Sequence, residues 1–229
     1  MIRFDTLTLA YNERTILQDA SLHLRAGELC ALVGCNGAGK STLLRALTSS
    51  ERVTIGGVRV SDMSGEELAR TVAIVTTERI RIADLRAKEV VAMGRAPYTN
   101  WIGRLQDIDR EIVAAAIEQV GMTSFVGRTT TTLSDGELQR VMIARAIAQQ
   151  TPIILLDEPT AFLDIPTRFE LAHLLADLAH KEGKTILFST HDIDSALPVC
   201  DTFAIIEGEH LQKLSKREAS AEIERLFKR

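Results

Sequence analysis

Gly34-Cys35-Asn36-Gly37-Ala38-Gly39-Lys40-Ser41-Thr42 has the residue types and spacing of a phosphate cradle. Its fixed positions match G-x-x-x-x-G-K-[ST], between the apolar run Leu29–Val33 and a stretch that reads as a helix from Lys40. Glycines let successive backbone N–H groups turn inward around phosphate oxygens, and the helix N-terminus adds its positive end. In such a cradle Lys40 reaches the β and γ phosphates, the Ser41 hydroxyl coordinates Mg²⁺, and Thr42 bonds the α phosphate. A second ligand for the metal is expected where another buried strand ends, and the run Ile153–Leu156 leads into Asp157-Glu158. Asp157 then lands beside the metal. Glu158, one residue further, is placed to polarise an attacking water as general base.

Those groups need a scaffold of strands and helices. Ile2 to Leu24 alternates apolar and polar residues (Leu7, Leu9, then Ala20, Leu22, Leu24), predicting two half-exposed strands joined through Tyr11–Arg14. Leu29–Val33 reads as a strand buried on both faces. Val53–Val60, with Gly56-Gly57, returns to edge strands, and Ser64 with Glu67 forms a capping box for a short helix before the strand Val72–Val75. From about Asp84 to Gln150 strand signals give way to helical periodicity, at Ile108, Ile112, Ala115 and Gln119-Val120, then at Leu138, Met142, Arg145 and Ala148. A helix over Pro166–Glu182 carries Leu171, Leu174, Leu175 and Leu178 on one face, with Gly183 as its stop. Thr185–Phe188 and Phe203–Ile206 complete the expected strand set. The fold class is α/β, interrupted by an all-helical insertion.

Composition narrows the partners. The 229 residues carry 27 Lys+Arg against 31 Asp+Glu, a formal charge of −4, which disfavours nucleic acid as the main ligand. Cys30, Cys35 and Cys200 are widely spaced with no C-x-x-C pair, which excludes a disulfide framework or zinc ribbon and fits a reducing compartment. The first residues lack the apolar core of a signal peptide, and no stretch approaches the roughly 18–20 apolar residues of a membrane helix. The chain is expected in the cytoplasm.

Leu133-Ser134-Asp135-Gly136-Glu137-Leu138-Gln139-Arg140 opens a helix with Ser134 as its N-cap, and it resembles the L-S-G-G-Q signature of ATP-binding-cassette (ABC) proteins. The chain order agrees with that family. Glu158-Pro-Thr-Ala-Phe-Leu-Asp164 resembles its D-loop, Ser189-Thr-His191-Asp192 its switch-histidine loop, and Tyr11 stands where the family stacks adenine. The resemblance implies a P-loop NTPase (RecA-like) core with an antiparallel β subdomain and an inserted helical subdomain. The core would span 1–84 and 150–229, and the insertion 85–149. It further implies an ATPase working as a head-to-tail dimer of two copies. ATP and Mg²⁺ would lie on one copy's cradle, while Ser134, Gly136, Glu137 and Asp164 approach from the other. Glu158 would position the water and His191 would hold it in line with the γ phosphate. Two departures stand out. Thr76-Thr77-Glu78 replaces the family's glutamine, leaving Thr77 with a shorter reach toward the metal, and Asp135 brings a carboxylate expected to slow closure onto an anionic nucleotide.

Val90-Val-Ala-Met-Gly-Arg-Ala-Pro-Tyr-Thr99, followed by Trp101 and Arg104-Leu105, resembles a stretch of iron-siderophore, haem and cobalamin importers. That resemblance implies a detached ATPase subunit at the cytoplasmic face of the inner (plasma) membrane. Its partners would be integral membrane permease subunits and, indirectly, a substrate-binding protein. The permease would insert a coupling helix near Thr77–Arg104. Tyr98 and Trp101 read equally as contacts to it or as packing of the helical lobe. Arg79, Arg81, Arg86 and Arg95 read mostly as a solvated basic face, with headgroups or the permease as the other reading. The alternative is a soluble ABC ATPase of an assembly system, such as iron–sulfur cluster assembly, which shares every catalytic motif.

Overall fold

A computed structural model describes residues 1–11, 14–77, 85–99 and 103–227. In chain order it contains β1 (Ile2–Tyr11), β2 (Arg14–Leu24), β3 (Leu29–Gly34), α1 (Lys40–Ala46), β4 (Val53–Ile55), β5 (Val58–Arg59), α2 (Gly65–Thr71) and β6 (Val72–Val75). The middle of the chain holds α3 (Ala87–Ala92), α4 (Asp107–Gln119) and α5 (Asp135–Ala148). There follow β7 (Ile153–Leu156), α6 (Ile165–His180), β8 (Thr185–Thr190), α7 (Ile193–Ala196), β9 (Thr202–Glu207), β10 (His210–Ser215) and α8 (Lys216–Phe227).

The strands form two sheets, an antiparallel one ordered β2-β1-β4-β5 and a six-stranded one ordered β10-β9-β3-β8-β7-β6. In the larger sheet β9, β3, β8, β7 and β6 run parallel. A parallel sheet needs crossover helices on its faces, so its strands are buried on both sides and read as unbroken apolar runs. On β3, Leu29, Ala31 and Val33 pack into a core shared with α3–α6, while Cys30 and Leu32 pack with Leu43, Leu44 and Leu47 against the antiparallel sheet. Every residue of β3, β7 and β8 is buried. This double burial fixes the carboxyl ends of β3, β7 and β8 along one edge, where the chemistry-bearing residues sit.

Three expectations change. The strand set does not end at β9, since β10 pairs with it antiparallel at the sheet edge. In α4 the buried face is Asp109, Val113, Ala116 and Ile117, whereas Ile108 is 56% exposed. Arg95 is not part of a solvated basic face. It is buried, with Nε 2.9 Å from Asp109 Oδ1, and Nη1 donates to the Ala148 carbonyl (2.8 Å) and Gln150 Oε1 (3.0 Å). Arg79, Arg81 and Trp101 lie outside the described residues.

Tyr98 joins this cluster, with the guanidinium of Arg95 4.1 Å and that of Arg70 on α2 5.2 Å from its ring centre. Arg70 also donates to the Pro97 carbonyl, and Gln149 donates to the carbonyls of Ala69 and Val72. A side chain at Gly94 would meet the Arg145 carbonyl at 2.3 Å, so glycine permits the close approach. The Gly-Arg-x-Pro-Tyr stretch is thus the seam between the helical lobe and the core.

The Asp109 carboxyl is held below the usual range, first by the Gln106 N–H that bonds it, against the opposing effect of burial, and then by Arg95. A depressed pKa contributes stability that is present above the unfolded value near 3.9 and is lost as pH falls through the folded value. Asp109→Ala leaves a buried guanidinium without its carboxylate, an expected destabilisation of about 3–5 kcal/mol. Urea unfolding should give the same wild-type-to-variant gap at pH 7 and pH 5. A gap under about 1 kcal/mol would remove the ion pair from the seam's stabilising contacts.

Candidate functional site

The cradle forms as its spacing requires. β3 ends at Gly34, the loop turns through Gly37 (φ +77°) and Gly39 (φ +96°), and Lys40 begins α1. Gly39 has a second reason to be glycine. A Cβ there would meet Ile16 Cγ2 at 2.0 Å, because β2 of the antiparallel sheet presses onto the loop. Lys40 is buried, and its ammonium donates to the carbonyls of Gly34 (2.8 Å) and Cys35 (3.2 Å), holding the loop closed around its own cation.

The cradle opens into a cleft of about 840 Å³ lined by Asn36, Gly37, Ala38, Gly39, Lys40, Ser41, Thr42 and Glu158. Its other wall carries Tyr11, which is 68% exposed, with Arg14, Thr15 and Ile16. Gly208 and Glu209, from the turn between β9 and β10, close the rim. No local motif marks them in the sequence, because they belong to an edge hairpin formed by pairing between β9 and β10. Cys35 is exposed in the loop, whereas Cys30 and Cys200 are buried, with thiol pKa values pushed up by desolvation (Cys30 to about 12).

Asp157 and Glu158 follow β7 directly. The Asp157 N–H donates to the Val75 carbonyl (2.8 Å), tying the ends of β6 and β7 together. Asp157 is buried, and its Oδ1 accepts from the Ser189 hydroxyl at 2.6 Å. The Glu158 N–H donates to the same hydroxyl oxygen at 2.8 Å. Glu158 has a left-handed backbone (φ +47°), uncommon outside glycine, which aims its side chain back toward the cleft. Its carboxylate lies 3.9 Å from Lys40 Nζ and 3.7 Å from His191 Nδ1. Three groups from three separate elements therefore converge at the mouth of the cradle. Thr77, two residues beyond β6, is exposed and does not line this cleft.

A second cleft, of about 630 Å³, shares no lining residue with the first and gathers Ser134, Asp135, Gly136, Glu137, Phe162, Leu163 and Asp164. Ser134 caps α5. Its hydroxyl accepts from the Glu137 N–H (3.2 Å), and the Glu137 carboxylate accepts from the Ser134 N–H (2.7 Å). That amide bond lowers the Glu137 pKa despite partial desolvation, with the Ser134 hydroxyl and Arg128 adding to it, so the carboxylate is ionised and engaged by its own helix. Gly136 brings the helix end within close range of the Phe162 carbonyl, where a Cβ would sit 3.3 Å from it. Asp164 caps α6 through the Thr167 N–H. Arg168 ties the two loops together, donating to the Leu163 carbonyl at 2.9 Å with its guanidinium 3.8 Å from Asp192, next to His191.

Ser41 and Asp157 offer a hydroxyl and a carboxylate, hard oxygen donors of the kind Mg²⁺ accepts when nucleotide phosphates supply most of its shell. Among the described residues no cluster of three or more His, Cys, Asp or Glu side chains could hold a metal alone. The residues fit a metal that arrives with its nucleotide.

A family profile described as ABC transporter matches residues 17–161. The chain is 36% identical over 197 residues to the iron(3+)-hydroxamate import ATP-binding protein FhuC of Bacillus subtilis, covering 84% of this chain and 73% of that protein. It is 33% identical over 234 residues to the ferric enterobactin transport ATP-binding protein FepC of Escherichia coli, covering 99% and 86%. Among solved structures it resembles a dimeric, post-hydrolysis ATP-binding cassette bound to ADP and Pi, at 26% identity and a TM-score of 0.83, covering 95% of this chain and 99% of that one.

Proposed function

The chain belongs to the ABC transporter family and is an ATPase coupled to transport, and on that premise we propose that it drives an importer of iron-siderophore, haem or cobalamin. The observation that carries the chemistry is the Glu158 carboxylate, which lines the cleft with Lys40 and lies 3.9 Å from the Lys40 ammonium and 3.7 Å from His191 Nδ1. Tyr11 stacks the adenine, and the loop amides with Lys40 hold the phosphates. Glu158 takes a proton from water as its oxygen attacks the γ phosphorus, and the bond to the β-phosphate oxygen breaks, leaving ADP and phosphate. His191 keeps water and phosphorus in line, and the cation of Lys40 offsets charge moving onto the leaving oxygen. Ser41 and Asp157 would hold Mg²⁺, which would supply further charge neutralisation.

The second cleft supplies the other half of the site. Two copies pack head to tail, so that Ser134 and the Gly136 amide of one meet the γ phosphate on the cradle of the other, with Glu137 and Asp164 fixing the helix ends that present them. Hydrolysis removes the charge that bridges the copies, and the dimer opens. Membrane permease subunits dock against the helical lobe on the cytoplasmic side, and a substrate-binding protein delivers the cargo to them. Among the described residues no helix is long and apolar enough to cross a membrane, so these partners supply the transmembrane path.

Affinity purification from the native cell in mild detergent tests the reading. A polytopic membrane protein is expected in stoichiometric amount, together with stimulation of ATP hydrolysis on reconstitution. An exclusively soluble assembly complex as partner would overturn the importer.

A further inference from the structure

We propose that Ser189 is a positioning residue for ATP hydrolysis, whose one hydroxyl sets the metal-binding carboxylate and the backbone of the general base together. It rests on the roles given above to Asp157 and Glu158. The strand order makes the contact possible. β8 lies between β3, which carries the cradle, and β7, which carries Asp157-Glu158. Leu32 pairs with Ser189 and Leu156 with Phe188, so Ser189 stands level with Asp157, one step past the last pair of β7.

A serine hydroxyl has one proton and two lone pairs. The proton goes to Asp157 Oδ1 (2.6 Å), and a lone pair receives the Glu158 N–H (2.8 Å). Ser189 is fully buried, so no water can substitute readily for either bond. Two results follow. With one lone pair of Oδ1 engaged by Ser189, Oδ2 is the less encumbered oxygen of Asp157 toward Mg²⁺ or its water. The Glu158 amide is held in a left-handed conformation, with φ +47°, that a glutamate would otherwise leave. The next residue does the matching task on the other side, since the Thr190 hydroxyl accepts the Asp192 N–H (2.9 Å) and orders the loop that bears His191. Outer partners of this kind typically matter 10–100-fold in metal affinity or rate, by roughly the range seen at other metal sites.

The test uses the intact chain with Mn²⁺ in place of Mg²⁺. Binding of Mn²⁺ in the presence of ADP is read by electron paramagnetic resonance, beside metal-free ADP affinity and ATP hydrolysis with Mg²⁺. Ser189→Ala is expected to weaken Mn²⁺ binding about tenfold and to lower kcat by about 10–100-fold, with a smaller change in KM. Metal-free ADP affinity should stay within about twofold, since Ser189 does not line the cleft. Ser189→Thr, which keeps the hydroxyl, should retain most of the metal affinity. On an Asp157→Asn background Ser189→Ala should add less than about a twofold further loss of Mn²⁺ binding, because the two residues act as a unit. Wild-type Mn²⁺ affinity in Ser189→Ala would overturn the proposal, even if its melting temperature fell. If Asp157→Asn itself binds Mn²⁺ normally, the assignment of Asp157 to the metal fails first, and the two failures are distinguishable.

Discussion

Glu158→Gln is expected to bind MgATP with near wild-type affinity and to hydrolyse it about 10²–10⁴-fold more slowly. The substitution keeps the shape of the side chain and removes only its capacity to take a proton. The contacts that shape the residue's backbone are made by its N–H to Ser189 and its carbonyl to the Ala161 N–H, and both survive the change. The phosphate cradle is equally untouched, because Lys40 rests on the carbonyls of Gly34 and Cys35 at shorter range than on Glu158. Binding and chemistry should therefore separate, with nucleotide affinity read by a fluorescent analogue and chemistry by single-turnover hydrolysis. Unchanged turnover would reject Glu158 as base.

Ser134→Arg is the second substitution with a large expected effect. Losing the N-cap costs about 1 kcal/mol, too little to unfold the domain. The bulky cation would fill a cleft that shares no lining residue with the cradle, so nucleotide binding by the isolated chain should persist. Hydrolysis should nonetheless fall by about 10²-fold or more, if the cleft completes the active site of a second copy. Mixing separates this from misfolding. Lys40→Ala has a damaged cradle and an intact second cleft, and Ser134→Arg has the reverse. A mixed dimer contains one complete composite site, so the two inactive proteins should regain activity together. No recovery on mixing, with each variant folded, would count against the head-to-tail arrangement.

The parts of the site that were legible in the sequence are those whose chemistry is local. Gly34–Thr42 needs only its own spacing to make a strand–loop–helix turn, and Ile153–Leu156 needs only its apolar run to mark Asp157 as a strand-end carboxylate. The capping box at Ser64-Glu67 and the N-cap at Ser134 formed as expected, and the structure adds Glu137 as the return partner that makes the second a box too. What escaped depends on distant pairing. β10 (His210–Ser215) is an edge strand with an alternating, half-exposed pattern, too weak to register beside the buried strands. The inner face of α4 departs from the apolar pattern because its buried stripe contains Asp109, an acid that apolar periodicity never selects and that the Gln106 N–H together with Arg95, fourteen residues earlier, makes tolerable. Ser189 shows the limit most clearly. Its partner is 32 residues away on a strand that is its neighbour in space, and no pattern within Thr185–Thr190 encodes that order.

The seam at Gly94, Arg95 and Tyr98 has a mechanical meaning. It clamps the C-terminal end of α5, near Arg145 and Gln149, while Ser134 stands at the opposite end of the same helix. The 14 residues of α5 span about 21 Å at 1.5 Å per residue. Packed along its length against α3 and α4, the helix reaches from the seam, where a tilt of this lobe would have its fulcrum, to a tip at the second cleft. A tilt of about 10° at the fulcrum would carry the tip about 4 Å over that length, more than a hydrogen bond's reach. Small displacements of the core against α3–α5 would thus be amplified where a second copy's phosphate would have to be met.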